Sequence, residues 1–500
     1  MKKYISIIIV TLTLAGSSCK KDYLELSQNP NVPTVTTPQL ALSGALKATA
    51  DITNGLSNSG VGSPYVAYNA WMGYMSWSTG FQPNVALLSY QITTATYDAW
   101  TNNYLNLANY NALLDPANGP NFQAIAKIMI AFDFEALVDN YNNVPYTQAL
   151  KGTKVLNPTY DNGSAIYDDL MKQLDAAIVL INGASASALN PGKSDIMYGG
   201  NMTNWVKFAN TLKLRLALRQ VNVSAKTGAL QAAVTATASL GYLDASNPAV
   251  VNPGYLNSDA TGGQESPLWR NYGFTQNGGS QANNSQYQAN TYGAKSLSAN
   301  NDPRSLVVYL PTNGVVISSA FGQTTPPTGG TPSIAGPGVL KSATMNANIM
   351  TSAEALFLEA EGAQRGYIPG DPTALYNAGI TASFVDDGLT AAQATTYYSQ
   401  AAIAYPAAAA AVGTIDPTQL QAIIGQKWKA LAIYGGFEAF NEFRRTGYPN
   451  DIPLSIYPGA NPPNQVTRIP YPAVEYKTNA ANVAAQGTIN VFTSKIFWAK

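Results

Sequence analysis

The chain of 500 residues contains no histidine and only one cysteine, Cys19. Without histidine there is no Ser-His-Asp or Cys-His relay, no ordinary zinc ligand set, and no side chain of the type that most often acts as a base near neutral pH. A single cysteine excludes an intrachain disulfide, so stability must come from packing. Charged residues make up only 11%, and Lys+Arg and Asp+Glu number 28 each. No long basic block occurs, so nucleic acid is not an expected partner. No EF-hand-like spacing of oxygen ligands occurs, and neither a metal nor another cofactor is expected. Beyond the N-terminus no segment offers the ~20 continuous apolar residues of a membrane-spanning helix. Hydrophobic residues make up 46%. That content supports a large core and argues against wholesale disorder. Asn, Tyr, Gly, Pro and Thr are abundant, a composition suited to long ordered loops.

The N-terminus reads as an address. Lys2 and Lys3 precede an apolar run from Ile5 to Leu14, and Ala15-Gly16-Ser17-Ser18-Cys19 follows. A basic start, a short apolar stretch and small residues make a secretory signal. The placement of Cys19 resembles a bacterial lipoprotein signal, in which that cysteine becomes the acylated first residue of the mature chain. Gly16 stands where such signals usually carry Leu; the alternative is ordinary cleavage nearby, with Cys19 a bystander. Acyl chains would anchor the protein at ~0.8 kcal/mol per buried methylene. Removing Lys2 and Lys3 with the signal leaves 26 basic against 28 acidic residues. The expected division is a signal over 1–18, a polar tether over 19–38, and a single domain over 39–500.

Helical periodicity dominates the rest. A first helix is expected near Gln39–Asp51. Phe122, Ile125, Ile128, Met129 and Phe132 predict an amphipathic helix over 121–139, stopped by Asn140 and Pro145. Further helices are predicted over 165–181, 203–220, 351–365 and 372–383. The stretch 418–445 is broken by Gly435-Gly436 and stopped by Gly447 and Pro449. Lys207, Lys213, Arg215 and Arg219 share a helix with no acid, which reads as a solvated face. Residues 244–348 read as mostly non-helical, with strand-like runs at Leu306–Leu310 and Val315–Ser318 and a surface loop at Gln323–Gly338.

Four stretches carry a resemblance to a known family. They are Asp139-Asn140-Tyr141-Asn142-Asn143-Val144-Pro145-Tyr146, then Asn301-Asp302-Pro303-Arg304, then the helix from Thr351 through Glu354 to Glu361. The fourth runs from Gln426-Lys427-Trp428 to Arg444-Arg445-Thr446-Gly447-Tyr448-Pro449, followed by Arg468-Ile469-Pro470-Tyr471-Pro472 and Glu475-Tyr476. In order and spacing they resemble the SusD/RagB family of nutrient-binding outer-membrane lipoproteins, and its SusD-like branch in particular. The resemblance implies a mostly α fold: a tetratricopeptide-like scaffold of helical hairpins, with long loops and a few short strands. It also implies a SusC-like, TonB-dependent transporter as partner, an oligosaccharide or peptide ligand, and no catalysis. Glu354, Glu361, Arg444 and Arg445 read as a structural ion-pair set between packed helices. Trp428, Phe437, Phe440 and Phe443 read as core aromatics.

Sugar capture calls for flat apolar rings beside planar hydrogen-bonding groups. Three segments supply that mixture and make a candidate ligand site. Trp71, Tyr74 and Trp77 recur at three-residue spacing, which is equally one face of a helix and hence core. Trp269, Arg270, Asn271 and Tyr272 follow Gly262-Gly263 in a loop-like segment. Tyr287 and Tyr292 lie among Asn and Gln. Two rival readings remain open. A glycoside hydrolase needs two carboxylates and no histidine, and Asp133, Glu135, Asp139 and Asp386-Asp387 are available. Of these, Asp133 and Glu135 point to different helix faces, and Asp386-Asp387 reads as a turn. A structural or adhesive surface protein is the second rival.

Overall fold

The computed structural model describes residues 37–56, 63–260, 262–281 and 283–500. The signal over 1–18, Cys19 and nearly all of the tether therefore lie outside the described residues.

Thirteen helices of the described residues carry the argument. The N-terminal part contains α1 Pro38–Thr53, α2 Pro64–Trp71, α3 Thr101–Ala112, α4 Pro120–Tyr141, α5 Gly163–Asn182 and α6 Met202–Arg219. Two shorter ones follow, α7 Pro267–Tyr272 and α8 Thr291–Ser298. The C-terminal part contains α9 Ser352–Gln364, α10 Pro372–Asp386, α11 Ala391–Tyr398, α12 Pro417–Ala430 and α13 Gly436–Thr446. Local chemistry sets their ends. Thr37-Pro38, Ser63-Pro64, Asp371-Pro372 and Asp416-Pro417 each place a capping oxygen before a proline in the first turn, where proline loses no helical hydrogen bond. The α12 cap is a reciprocal box between Asp416 and Gln419. Gly447 closes α13 in the left-handed region, with φ 83°, which only glycine adopts readily.

Helices consecutive in the chain pack in pairs: α4 with α5, α5 with α6, and α9 with α10. Helix α4 lies at the centre, touching α1, α3, α5 and α6. The expected amphipathic helix is in fact buried nearly all round, including Asp133, Glu135 and Asp139. The expected solvated face of α6 is also corrected. Lys213 is 1%, Arg215 7% and Arg219 1% exposed, because acids from other helices meet them. A second, smaller cluster of buried side chains joins α9 to α12 around Phe357, Tyr376, Phe384 and Ile423.

Two antiparallel ribbons complete the frame: β1 Met75–Trp77 with β3 Tyr287–Ala289, and β2 Ala249–Val251 with β4 Ala347–Met350. The long middle region is less irregular than its composition suggests. Pro267–Tyr272 and Thr291–Ser298 are helical, each started by a well-placed Pro or Asn. The strand-like run at Leu306–Leu310 contains a short helix, Ser305–Val308. Val315–Ser318 forms only an isolated bridge between Val315 and Thr312. In Gln323–Gly338 the mostly exposed part ends at Thr331, and only Pro337 is exposed after it. Ser333 turns inward, its carbonyl accepting from Ala289 N–H at 2.7 Å. No helix among the described residues is long and apolar enough to cross a membrane.

Candidate ligand site and its charged foundation

The nine candidate side chains come from three segments, and the β1–β3 ribbon brings three of them together, Trp77, Tyr287 and Tyr272. Trp77 pairs across the ribbon with Tyr287. Their rings meet edge to face at 5.2 Å and 88°. Tyr272 backs Tyr287 at 6.1 Å. Ser78 N–H donates to the Gln286 carbonyl at 2.8 Å. The Ser78 hydroxyl accepts from Gly80 N–H at 3.2 Å. This tight turn holds Phe81 beside Trp77, with ring centres 6.5 Å apart. Phe81 is 38% exposed and Trp77 half-buried. Together they offer an outward apolar surface braced from behind by Tyr287. Gln82 is exposed, and Asn84 and Gln286 are half-buried in the same segments. Phe81 was not among the candidates. Its signal, an aromatic inside the turn-like Gly80-Phe81-Gln82-Pro83-Asn84, lies in the sequence but carries no periodicity.

The other candidates divide. Trp71 and Tyr74 are fully buried core residues, though not on one helix face: Trp71 ends α2, Tyr74 lies in the turn after it, and Trp77 is in β1. Trp71 meets Tyr97 edge-on at 5.8 Å. Tyr74 stacks on Trp428 at 4.7 Å, and its hydroxyl donates to the Trp428 carbonyl at 2.6 Å. Trp269 is half-buried and its indole N–H donates to the Phe274 carbonyl at 2.9 Å. Arg270 donates to the Gly262 carbonyl at 2.8 Å, and Asn271 to the Gly55 carbonyl at 3.0 Å. All three thus tie down backbone nearby in space. Tyr292 is half-buried, and its hydroxyl donates to Asp451 at 2.6 Å.

The core holds a buried charge network that joins the motif helices α9, α12 and α13 to α4 and α6. Arg445 on α13 holds Glu361 of α9 at 2.7 and 2.8 Å, and Glu442 at 2.5 and 2.8 Å. Arg215 donates twice to Glu135 and once, at 3.0 Å, to Glu354. Arg219 reaches Glu438 at 2.5 Å and Lys427 reaches it at 2.8 Å. Arg444 makes no carboxylate pair among the described residues. It donates to Asn441 and to the Asp139 and Thr467 carbonyls. The expected Glu–Arg set is therefore Glu361–Arg445 and Glu354–Arg215. Burial pushes Glu135 up to about 7 despite Arg215. Burial would also raise Glu361, but Arg445 and Arg365 overcome it and hold that carboxyl at about 2. Asp302 and Arg304 of the second motif are likewise buried, paired at 2.7 Å beneath Phe384 and Tyr397. Trp428 and Phe440 are core, whereas Phe437 and Phe443 are partly exposed.

These motif contacts set the scaffold, and a family comparison gives it a class. Residues 30–472 match the family model SusD-like_2, described as starch-binding and associating with the outer membrane. The chain belongs to the SusD/RagB family. The SusD-like fold is shared by many solved structures. A SusD homolog from Bacteroides uniformis superposes with a TM-score of 0.71 at 22% identity, covering 92% of this chain and 99% of that one. A chitin-binding SusD homolog from Flavobacterium johnsoniae gives 0.72 at 22%, covering 91% and 98%. A SusD/RagB family protein from Bacteroides thetaiotaomicron gives 0.72 at 19%, covering 93% and 99%. No curated protein sequence matches the chain. At these identities the SusD-like neighbours establish the mostly helical fold, and the ligand must be argued from this chain's own surface.

Proposed function

We propose that this protein captures an oligosaccharide at the outer-membrane surface and hands it to a SusC-like, TonB-dependent transporter. The observation that carries the reading is the surface of Trp77 and Phe81, braced by Tyr287, in a chain whose family is described as starch-binding. Rigid rings bind the apolar face of a pyranose at little entropic cost, and Gln82, Asn84 and Gln286 offer amide groups for hydroxyls. Residues 78–97 and 271–294 carry no charged side chain, so a neutral glycan fits better than a polyanionic one. In this reading residues 1–18 are a cleaved signal, Cys19 carries the lipid, 19–38 form the tether, and 39–500 form the binding domain facing the cell exterior. Trp269, Arg270, Asn271 and Tyr292 border the site or support it, and Trp71, Tyr74 and Tyr272 are its packing.

The chain acts by binding and not by hydrolysis. Asp133 is engaged by Asn106 at 3.3 Å, whereas Glu135 is clasped by Arg215. Asp387 is buried and Asp386 pairs with Lys341 at 2.7 Å. None of these carboxyls lies in the ring surface. The test is calorimetric titration with neutral oligosaccharides and peptides, coupled to a search for new reducing ends. Saturable glycan binding without new ends supports the reading. Binding of peptides alone would move the ligand class, and new reducing ends would replace capture by hydrolysis.

A further inference from the structure

A cavity of about 160 Å³ lies between α1, α2, α3, α4, α6 and α13, away from the ring surface. Its mouth is partly open to solvent and mixed in character: Ile52, Leu56, Pro64 and Phe437 are apolar, Thr53, Ser63 and Asn102 are polar, and Asp98 is bound up capping α3. Its floor is charged, and the charges do not balance. Asp133, Glu135, Asp139, Glu354 and Glu438 line it against only Arg215 and Arg219. Lys427 adds a third cation from behind, at 2.8 Å from Glu438. Four of the five acids have a cationic partner within 4 Å. Asp133 has none among the described residues. It is 2% exposed, and its sole partner among them is Asn106, which donates to Oδ2 at 3.3 Å. Its Oδ1 accepts nothing from them. A carboxyl this buried is costly unless a charge partner reaches it, and burial pushes Asp133 well above the usual carboxylate range.

We propose that this cavity is a second ligand site, one that takes a small organic cation: an ammonium or guanidinium group on a compact apolar body, with the cationic head on Asp133. The size fits, since cavities of ~150 Å³ hold one six-membered ring. The chemistry fits as well. The floor offers acceptor oxygens and, in Asp133, a carboxyl whose ionisation a bound cation would favour; Ile52, Leu56, Pro64 and Phe437 offer apolar contact; an anion would face acidic groups. A bare metal ion is a poor match, because no cluster of three metal-ligating side chains occurs among the described residues. This proposal stands apart from glycan capture and does not depend on it.

The full chain is titrated by calorimetry with benzylamine and with benzyl alcohol, its neutral match in shape. The expected result is saturable one-to-one binding of benzylamine, at least ten-fold tighter than benzyl alcohol. Asp133→Asn is expected to weaken the amine at least ten-fold and to close the gap between the two probes. Asn102→Trp, which plugs the half-buried rim of the cavity and leaves the floor intact, is expected to abolish binding of both. It serves as the deciding variant if Asp133→Asn does not fold. Equal binding of the two probes, binding of neither, or amine affinity unchanged by Asn102→Trp would each overturn the proposal.

Discussion

At the scale of single residues, the buried Arg–Glu pairs carry consequences that surface pairs would not. Arg445 is 1% exposed and satisfies Glu361 and Glu442 together. Arg445→Met would remove the cation shared by two buried carboxylates, leaving Glu361 to Arg365 and Glu442 to Lys427, and a loss of ~3 kcal/mol is expected in urea unfolding. Glu361 also sets an acid limit. Its folded carboxyl is held at about 2, below the ordinary 4.5. The stability it contributes is therefore full above pH 4.5 and is lost as pH falls through about 2. Glu361→Gln should flatten the melting-temperature profile between those values; an unchanged acid limb would contradict the assignment. Glu135 has the opposite sign. Its carboxyl is raised to about 7, so its contribution is full below 4.5 and fades as pH rises to about 7. Glu361, Glu442 and Arg445 were legible in the motifs, whereas Glu135 and Arg215 lie outside them. The pairing of those two was not legible, because Glu135 and Arg215 are separated by 80 positions.

At the scale of elements, the helix positions followed from periodicity and capping residues, but exposure did not. The charges of α6 resemble a solvated face only when that helix is read alone. Acids on α4, α9 and α13 supply the other half of the network, and complementarity across the core replaces water. In the middle region β-branched runs such as Leu306–Leu310 suggested strands, but the tight Asp302–Arg304 unit starts a helical turn there instead. The ribbon under the ring surface depends on one close approach. At Gly293 of α8 an added Cβ would sit 2.5 Å from the Gly73 carbonyl oxygen and 2.5 Å from the Tyr309 hydroxyl. Gly293→Ala should cost roughly 1–3 kcal/mol. Exposed Gly44 of α1 meets nothing within 4 Å, so Gly44→Ala should stabilise by about 0.5–1 kcal/mol. Chemical denaturation of the two variants tests the contrast, and equal effects would contradict the packing described.

At the scale of the whole molecule, the account joins a helical scaffold with a buried ionic core to a small uncharged ring surface at one ribbon. The scaffold and its family were legible because ordered motifs along the chain fall on core positions. The site was only partly legible. An aromatic gives the same sequence signal whether it packs inward, as Trp71 and Tyr74 do, or outward, as Phe81 does. The most direct test of capture at this surface is calorimetric titration of Phe81→Ala, and of Trp77→Ala beside it, with a neutral oligosaccharide that the unaltered protein binds. The account predicts at least a ten-fold loss of affinity for Phe81→Ala with an unchanged melting temperature. Full affinity in both variants, with the fold intact, would contradict it and move the site elsewhere on the molecule.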